Sequence, residues 1–220
     1  MFEGRVLRRT KIDDVILERF IVGSLEVNCY LLTTEDSAIL IDPGFAADEL
    51  VERVESLNHL ESRMILLTHG HFDHTTACPL LQKNGWKVAL HPEDRFLLNR
   101  VSPDFAGLGY VDEPFEPSMS LWDGVCFNIG SITLEVVATP GHSPGSVCFI
   151  ELKRRLAFTG DTLFAESIGR SDLPGGDEEA LMNSVAKLKG LLNSESLVLS
   201  GHGGRALFNT ILRINPFLQD

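Results

Sequence analysis

The sequence predicts an α/β protein in which two β-sheets pack against each other and helices cover their outer faces. Three observations carry that prediction. Short apolar, strand-like runs occur in both halves of the chain, and amphipathic helical stretches fall between them. No repeat, linker or composition break interrupts the 220 residues, so one domain spanning 1–220 is expected.

Taken in order, "VILERFIVG", "VNCYLLTT" and "AILIDPG" read as strands separated by turn residues. "AADELVERVESL" places Leu50, Val51, Val54 and Leu57 at helical spacing. "MILLT" is a short apolar strand, a helix is expected from near Thr75 to just before Gly85, and "KVALH" is the next strand. From Asn99 to Asp123 the chain is rich in Pro, Gly and aromatics without periodicity. A long loop is expected there, with Phe105, Tyr110 and Phe115 either walling a substrate groove or packing on the surface. "VCFNIGSITLEVVATPGH" reads as a hairpin turning near Gly130. "SVCFIELKRRLAFTGD" is a second hairpin, with Leu152 to Arg155 as its solvated turn. "DEEALMNSVAKLKGLL" sets Leu181, Val185, Leu188 and Leu192 on one helical face, with Asp177 as N-cap. "LVLSGHGG" supplies a last strand and loop.

Charge and composition exclude several classes. A net charge of -12 is wrong for a nucleic-acid binder, which needs a basic stripe. No apolar run is long enough to cross a membrane, and the first residues lack the apolar core of a signal peptide, so a cytoplasmic location is expected. Cys29, Cys78, Cys126 and Cys148 are widely spaced without a C-x-x-C pair, and are expected to be reduced and buried.

The chemistry concentrates in "LLTHGHFDHTTA" (66–77). A strand ends there, and His69, His71, Asp73 and His74 follow within six positions. In an extended or looped backbone the first two imidazoles can converge on one point. Imidazole and carboxylate suit zinc, iron or manganese. Three more candidates sit just past strand ends beside glycine: His142 in "TPGHSPGS", Asp161 in "FTGDTLF" and His202 in "LSGHGG". His59 reads as a solvated residue after a helix and His91 as a cap before one.

In this order, "THGHFDH", "GH", "GD" and "GH" resemble the ligand set of the metallo-β-lactamase fold, an αββα sandwich of two mixed sheets, and "NCYLL" and "IDPG" resemble its opening strands. The likeness covers nearly the whole chain. "GRSDLPGGD" (169–177) and the terminal "NPFLQD" (215–220) are similar to short bacterial glyoxalase II-type hydrolases, also called hydroxyacylglutathione hydrolases. The resemblance implies that His69, His71 and His142 hold one divalent ion, that Asp73, His74 and His202 hold a second, and that Asp161 bridges them. It also implies support from Asp42 and Thr68. The ions would be zinc, with iron or manganese as alternatives.

The implied reaction is hydrolysis of a small-molecule thioester, S-D-lactoylglutathione or a related acyl-thiol, by a hydroxide bridging the ions. Asp73 would serve both as ligand and as the group that orients the hydroxide or takes its proton. Arg170 and Arg205, in loops that follow ligands, are the candidate contacts for an anionic thiol carrier. The chain departs from the pattern in having Gly204 where a proline is usual, and no helical C-terminal glutathione-binding domain is expected. The alternatives are a mononuclear iron persulfide dioxygenase, since those proteins share a Gly-Arg-x-Asp stretch, and a lactonase.

Overall fold

The computed structural model describes residues 5–98, 100, 108–110 and 113–219. A seven-stranded sheet is laid down in chain order: β1 (Arg5–Ile12), β2 (Val15–Val22), β3 (Val27–Thr33), β4 (Ser37–Ile41), β5 (Ser62–Leu66), β6 (Lys87–Leu90) and β7 (Met119–Ser120). β1 to β4 pair antiparallel through short turns. From β4 onward the pairing is parallel, because each return passes over the outer face. α1 (Asp48–Glu55) makes the first crossover, and α2 (Phe72–Thr75) with α3 (Cys78–Lys83) makes the second.

The other sheet holds β8 (Cys126–Ile129), β9 (Ile132–Ala138), β10 (Val147–Glu151), β11 (Leu156–Gly160), β12 (Leu197–Ser200) and β13 (Ala206–Leu207), in the order β13-β12-β11-β10-β9-β8. Only β11 and β12 are parallel, joined across α4 (Glu178–Leu191). The last helix is α5 (Phe208–Ile214).

Side-chain alternation sorts these elements into four layers. On β3, Cys29 and Leu31 pack toward Leu50, Val54 and Leu81 of the outer helices. Tyr30 and Leu32 face the opposite way, into a core shared with Phe149 and Phe158 of the second sheet. On β10, Cys148 and Ile150 then meet Leu181, Val185 and Leu188 of α4. Burying each such side chain contributes about 1.5–3 kcal/mol. The αββα sandwich therefore follows from strands with two apolar faces. Asp177 caps α4 by accepting from the Ala180 N–H at 2.9 Å. Among the described residues no helix is long and apolar enough to cross a membrane.

Several local expectations change. The single helix expected from Thr75 to Gly85 is two short ones. Pro79 suits only a first turn, so α3 starts at Cys78, and the Ala77 N–H turns instead to the Gly44 carbonyl at 2.6 Å. β1, β7, β13 and α5 are additional to the elements read from sequence. Cys126 is exposed while the other three free cysteines are buried, because β8 alternates and sends Phe127 and Ile129 inward. The 152–155 turn is only partly solvated. Arg154 folds over it with a side chain 8% exposed, pairing with Glu151 at 3.0 Å and Asp13 at 2.7 Å. In the expected 99–123 loop, Phe105 lies outside the described residues, while Tyr110 and Phe115 are buried. Tyr110 packs edge-on against Phe45 and Phe72.

Candidate metal centre

Strand ends deliver every candidate ligand to one rim of the sandwich. β5 feeds His69, His71, Asp73 and His74, β9 feeds His142, β11 feeds Asp161 and β12 feeds His202. Backbone hydrogen bonds lace these ends together, both within the second sheet and across the two sheets. Val147 N–H donates to Thr68 O at 2.8 Å, Gly201 N–H to Gly160 O at 2.8 Å, and Asn28 N–H to Gly201 O at 2.7 Å. Gly201 is needed for close approach, since a Cβ there would run into the Asp161 carboxylate.

The side chains converge as two groups. His69, His71 and His142 offer ring nitrogens within 4.8 Å of one another, with His71 Nδ1 only 2.9 Å from His142 Nε2. Asp73, His74 and His202 form the second, with His74 Nε2 3.3 Å from His202 Nε2 and Asp73 Oδ2 3.3 Å from His202 Nε2. Asp161 reaches both: Oδ2 lies 3.7 Å from His142 Nε2 and 3.5 Å from His202 Nε2, and Oδ1 lies 3.6 Å from His74 Nε2.

Acceptors behind four of the rings fix where their protons sit. His142 Nδ1 faces the Arg170 carbonyl at 2.7 Å and His202 Nδ1 the Leu25 carbonyl at 2.9 Å. His74 Nδ1 faces Asp42 Oδ2 at 3.1 Å. His69 Nδ1 lies 3.0 Å from the Thr68 hydroxyl, which itself donates to Asp42 Oδ2 at 2.6 Å. In its neutral form each ring therefore carries its proton on Nδ1 and turns the Nε2 lone pair inward. Asp42 falls within 4.8 Å of His69 and His74, yet its oxygens are taken by Thr68 and by His74 Nδ1, so it acts from behind the rings. It holds that position in a buried left-handed conformation, φ 49°.

Electrostatics separates the two groups. Burial, with the neighbouring imidazoles, holds His69 well below the usual histidine value and His71 at about 3, so both rings are neutral. Burial pushes the same way at His74, but Asp73, Asp161 and Asp42 outweigh it and raise the ring to about 10. Burial would raise Asp73, yet His74 and His202 hold its carboxyl far below the ordinary range. The carboxylates around His74 thus favour a positive charge at this point, which a divalent ion would supply.

The donor set fits a divalent cation. His69 Nε2 and Asp161 Oδ1 are buried with no hydrogen-bond partner, and so is His71 Nε2 on the far side of its ring. A buried polar atom left unpaired costs about 1–3 kcal/mol, a penalty that a bound ion removes at Nε2 and Oδ1.

A cavity of about 640 Å³ opens over this centre, with His71, Asp73, Asp161 and His202 in its lining. Leu25, Phe72, Leu97 and Phe164 make apolar walls, and Arg100 and Arg170 are the cations of the lining. Arg170 is forked onto Asp172 at 2.6 Å through both Nε and Nη2. Arg205 is half-buried and outside the cavity lining. Asn215, from the terminal motif, is fully buried beneath the wall. Its amide donates to Phe164 O at 3.1 Å and Ser167 O at 2.9 Å, and its oxygen accepts from Phe217 N–H at 3.0 Å. Sequence reasoning missed Arg100 and the buried Asp94. Nothing in "HPEDRFLLNR" distinguishes either from an exposed helix residue.

Comparison with known proteins agrees with this architecture. The metallo-beta-lactamase superfamily model matches residues 22–202. The chain is 35% identical over 204 residues to the hydroxyacylglutathione hydrolase GloC of Haemophilus influenzae, covering 90% of this chain and 95% of that one. Two solved structures superpose with a TM-score of 0.77. The BLEG-1 B3 metallo-beta-lactamase is 33% identical, with 93% of this chain and 100% of that chain covered. TTHA1623 in a di-iron-bound form is 36% identical, with 90% and 98% covered. With two mixed sheets, a histidine- and aspartate-lined centre and this breadth of similarity, the chain belongs to the metallo-beta-lactamase superfamily and is a metal-dependent hydrolase built on that fold.

Proposed function

We propose that this chain hydrolyses thioesters of an anionic thiol, with S-D-lactoylglutathione as the type substrate. His69, His71 and His142 would hold one divalent ion, Asp73, His74 and His202 a second, and Asp161 would touch both. Zinc is the favoured metal, and iron or manganese suit the same nitrogen and oxygen donors. When bound, such a pair supplies the Lewis acidity that ionises water near neutral pH and polarises an acyl carbonyl.

The observation that carries the reading is what lines the cavity. Its titratable groups are the ligand-set histidines and aspartates, and its other charged groups are two guanidiniums. Arginine does not release a proton at neutral pH, so among the described lining residues none is free to protonate a leaving group. A thiolate departs without that help, whereas an amine needs it, which favours a thioester over an amide or β-lactam. Asp73 presents a carboxylate on the cavity floor, where it would orient the attacking water and accept its proton. Arg100 and Arg170 would bind the carrier's carboxylates while the apolar walls exclude bulk water. The likeness to GloC supports the same substrate class. The test compares kcat/KM for S-D-lactoylglutathione, an uncharged thioester and a β-lactam on metal-loaded protein. Preference for the β-lactam refutes the proposal.

A second reading is a mononuclear iron persulfide dioxygenase on the same scaffold. The similar protein solved in a di-iron-bound form supports iron as a metal this fold can hold, but with two ions rather than one. Oxygen uptake with a glutathione persulfide separates the dioxygenase from the hydrolase.

A further inference from the structure

Asp94 is fully buried, in a 3-10 turn (Pro92–Leu97) outside the ligand segments. Its Oδ2 accepts the Gly70 N–H at 2.8 Å and the Ser143 hydroxyl at 2.6 Å, and its Oδ1 accepts the Gly145 N–H at 2.6 Å. Gly70 stands between His69 and His71, and Ser143 follows His142. One carboxylate thus sits a single residue away from all three histidines of the first group and ties together the two loops that carry them.

The surrounding glycines make room for it. A Cβ on Gly70 would stand 2.6 Å from the Asp94 carbonyl oxygen, and one on Gly145 would stand 2.8 Å from the Asp94 Cγ. The second group has other supports: Asp42 behind His74 and the Leu25 carbonyl behind His202. Among the described residues, the hydrogen bonds of the Asp94 carboxylate run to Gly70, Ser143 and Gly145, and none leads to that group.

We infer that Asp94 is a positioning residue for the His69/His71/His142 group alone, the strut that sets the distance between the His-x-His loop and the His142 loop. The inference rests on the two-group assignment above but not on the substrate. An asparagine cannot replace it: the amide NH2 must face either the Gly145 N–H or the Gly70 N–H, donor against donor.

The test reads zinc affinity by chelator competition on folded protein, in two backgrounds. His202→Ala leaves the first group whole, and His142→Ala leaves the second whole. Asp94→Asn is expected to weaken zinc about 10- to 100-fold in the His202→Ala background, the usual effect of removing a group behind the ligands. In the His142→Ala background the affinity should stay within about twofold of its parent. Gly145→Ala, which displaces the carboxylate from the other side, should give the same pattern, and it decides the matter alone where Asp94→Asn does not fold. Equal weakening in both backgrounds would make Asp94 a general structural residue and overturn the inference. Unchanged affinity in both would do the same. A protein that binds zinc in this pattern but turns over no thioester would refute the proposed substrate and leave the role of Asp94 standing.

Discussion

Replacing Asp42 with asparagine should damage both ligand groups at once. The carboxylate accepts the Thr68 N–H at 2.8 Å on Oδ1, and the Thr68 hydroxyl at 2.6 Å and His74 Nδ1 at 3.1 Å on Oδ2. An amide can satisfy only one side. With its NH2 turned to the Oδ1 position, it meets the Thr68 N–H head-on. With the NH2 at the Oδ2 position, the Thr68 hydroxyl must accept, and it then donates to His69 Nδ1. His74 Nδ1 must accept as well. Both rings would move their proton to Nε2 and lose the lone pair that faces the centre, one ring from each group. The backbone is not the cause, because asparagine tolerates the left-handed conformation at φ 49° about as readily as aspartate. Loss of a partner behind a ligand costs about 10- to 100-fold in metal affinity, or about 1.4–2.7 kcal/mol per ion. Zinc titration against a chromophoric chelator, with circular dichroism to verify the fold, measures it. A folded Asp42→Asn protein that binds its ions within about twofold of wild type would refute the proton-placement argument.

Asn215→Ala removes a buried amide with three hydrogen bonds beneath the cavity wall. It should destabilise the fold by about 3 kcal/mol, seen as a melting temperature lower by about 6–12 °C. An unchanged melting temperature would mean that the terminal motif does not secure the Phe164 loop. Arg100→Gln should raise KM for an anionic thioester about tenfold with kcat unchanged, and leave an uncharged thioester unaffected. An equal change for both substrates would remove Arg100 from carrier recognition. Asp73→Asn should lower kcat by about 100-fold or more while the ion on His69, His71 and His142 stays bound. Full activity with both ions retained would dispose of the proton-transfer role.

Strands β2 to β6 and β8 to β12, with α4, were legible because burial imposes a pattern on them. Leu181, Val185, Leu188 and Leu192 all lie on the buried face that their spacing describes. The histidine cluster was legible because four ligand-type side chains within six residues, followed by three glycine-flanked partners at strand ends, have few other uses. What escaped was whatever depends on tertiary partners. Asp94 sits in a stretch that reads as the start of a helix, and only the folded chain brings Gly70 and Gly145 to it. Arg100 carries no local pattern at all. The break between α2 and α3 follows from Pro79 and from the Gly44 carbonyl, and the second of these lies more than thirty residues away in sequence. Cys126 shows how a strand's alternation outranks the general tendency of cysteine to be buried.

Hydrolysis of S-D-lactoylglutathione by purified, metal-loaded protein tests the central claim most directly, with His142→Ala and chelator-treated protein as controls. Turnover by the wild type that disappears in both controls, and returns when metal is restored to the chelated wild type, is the predicted result. A wild type that carries its metal ions and leaves the thioester intact would contradict it.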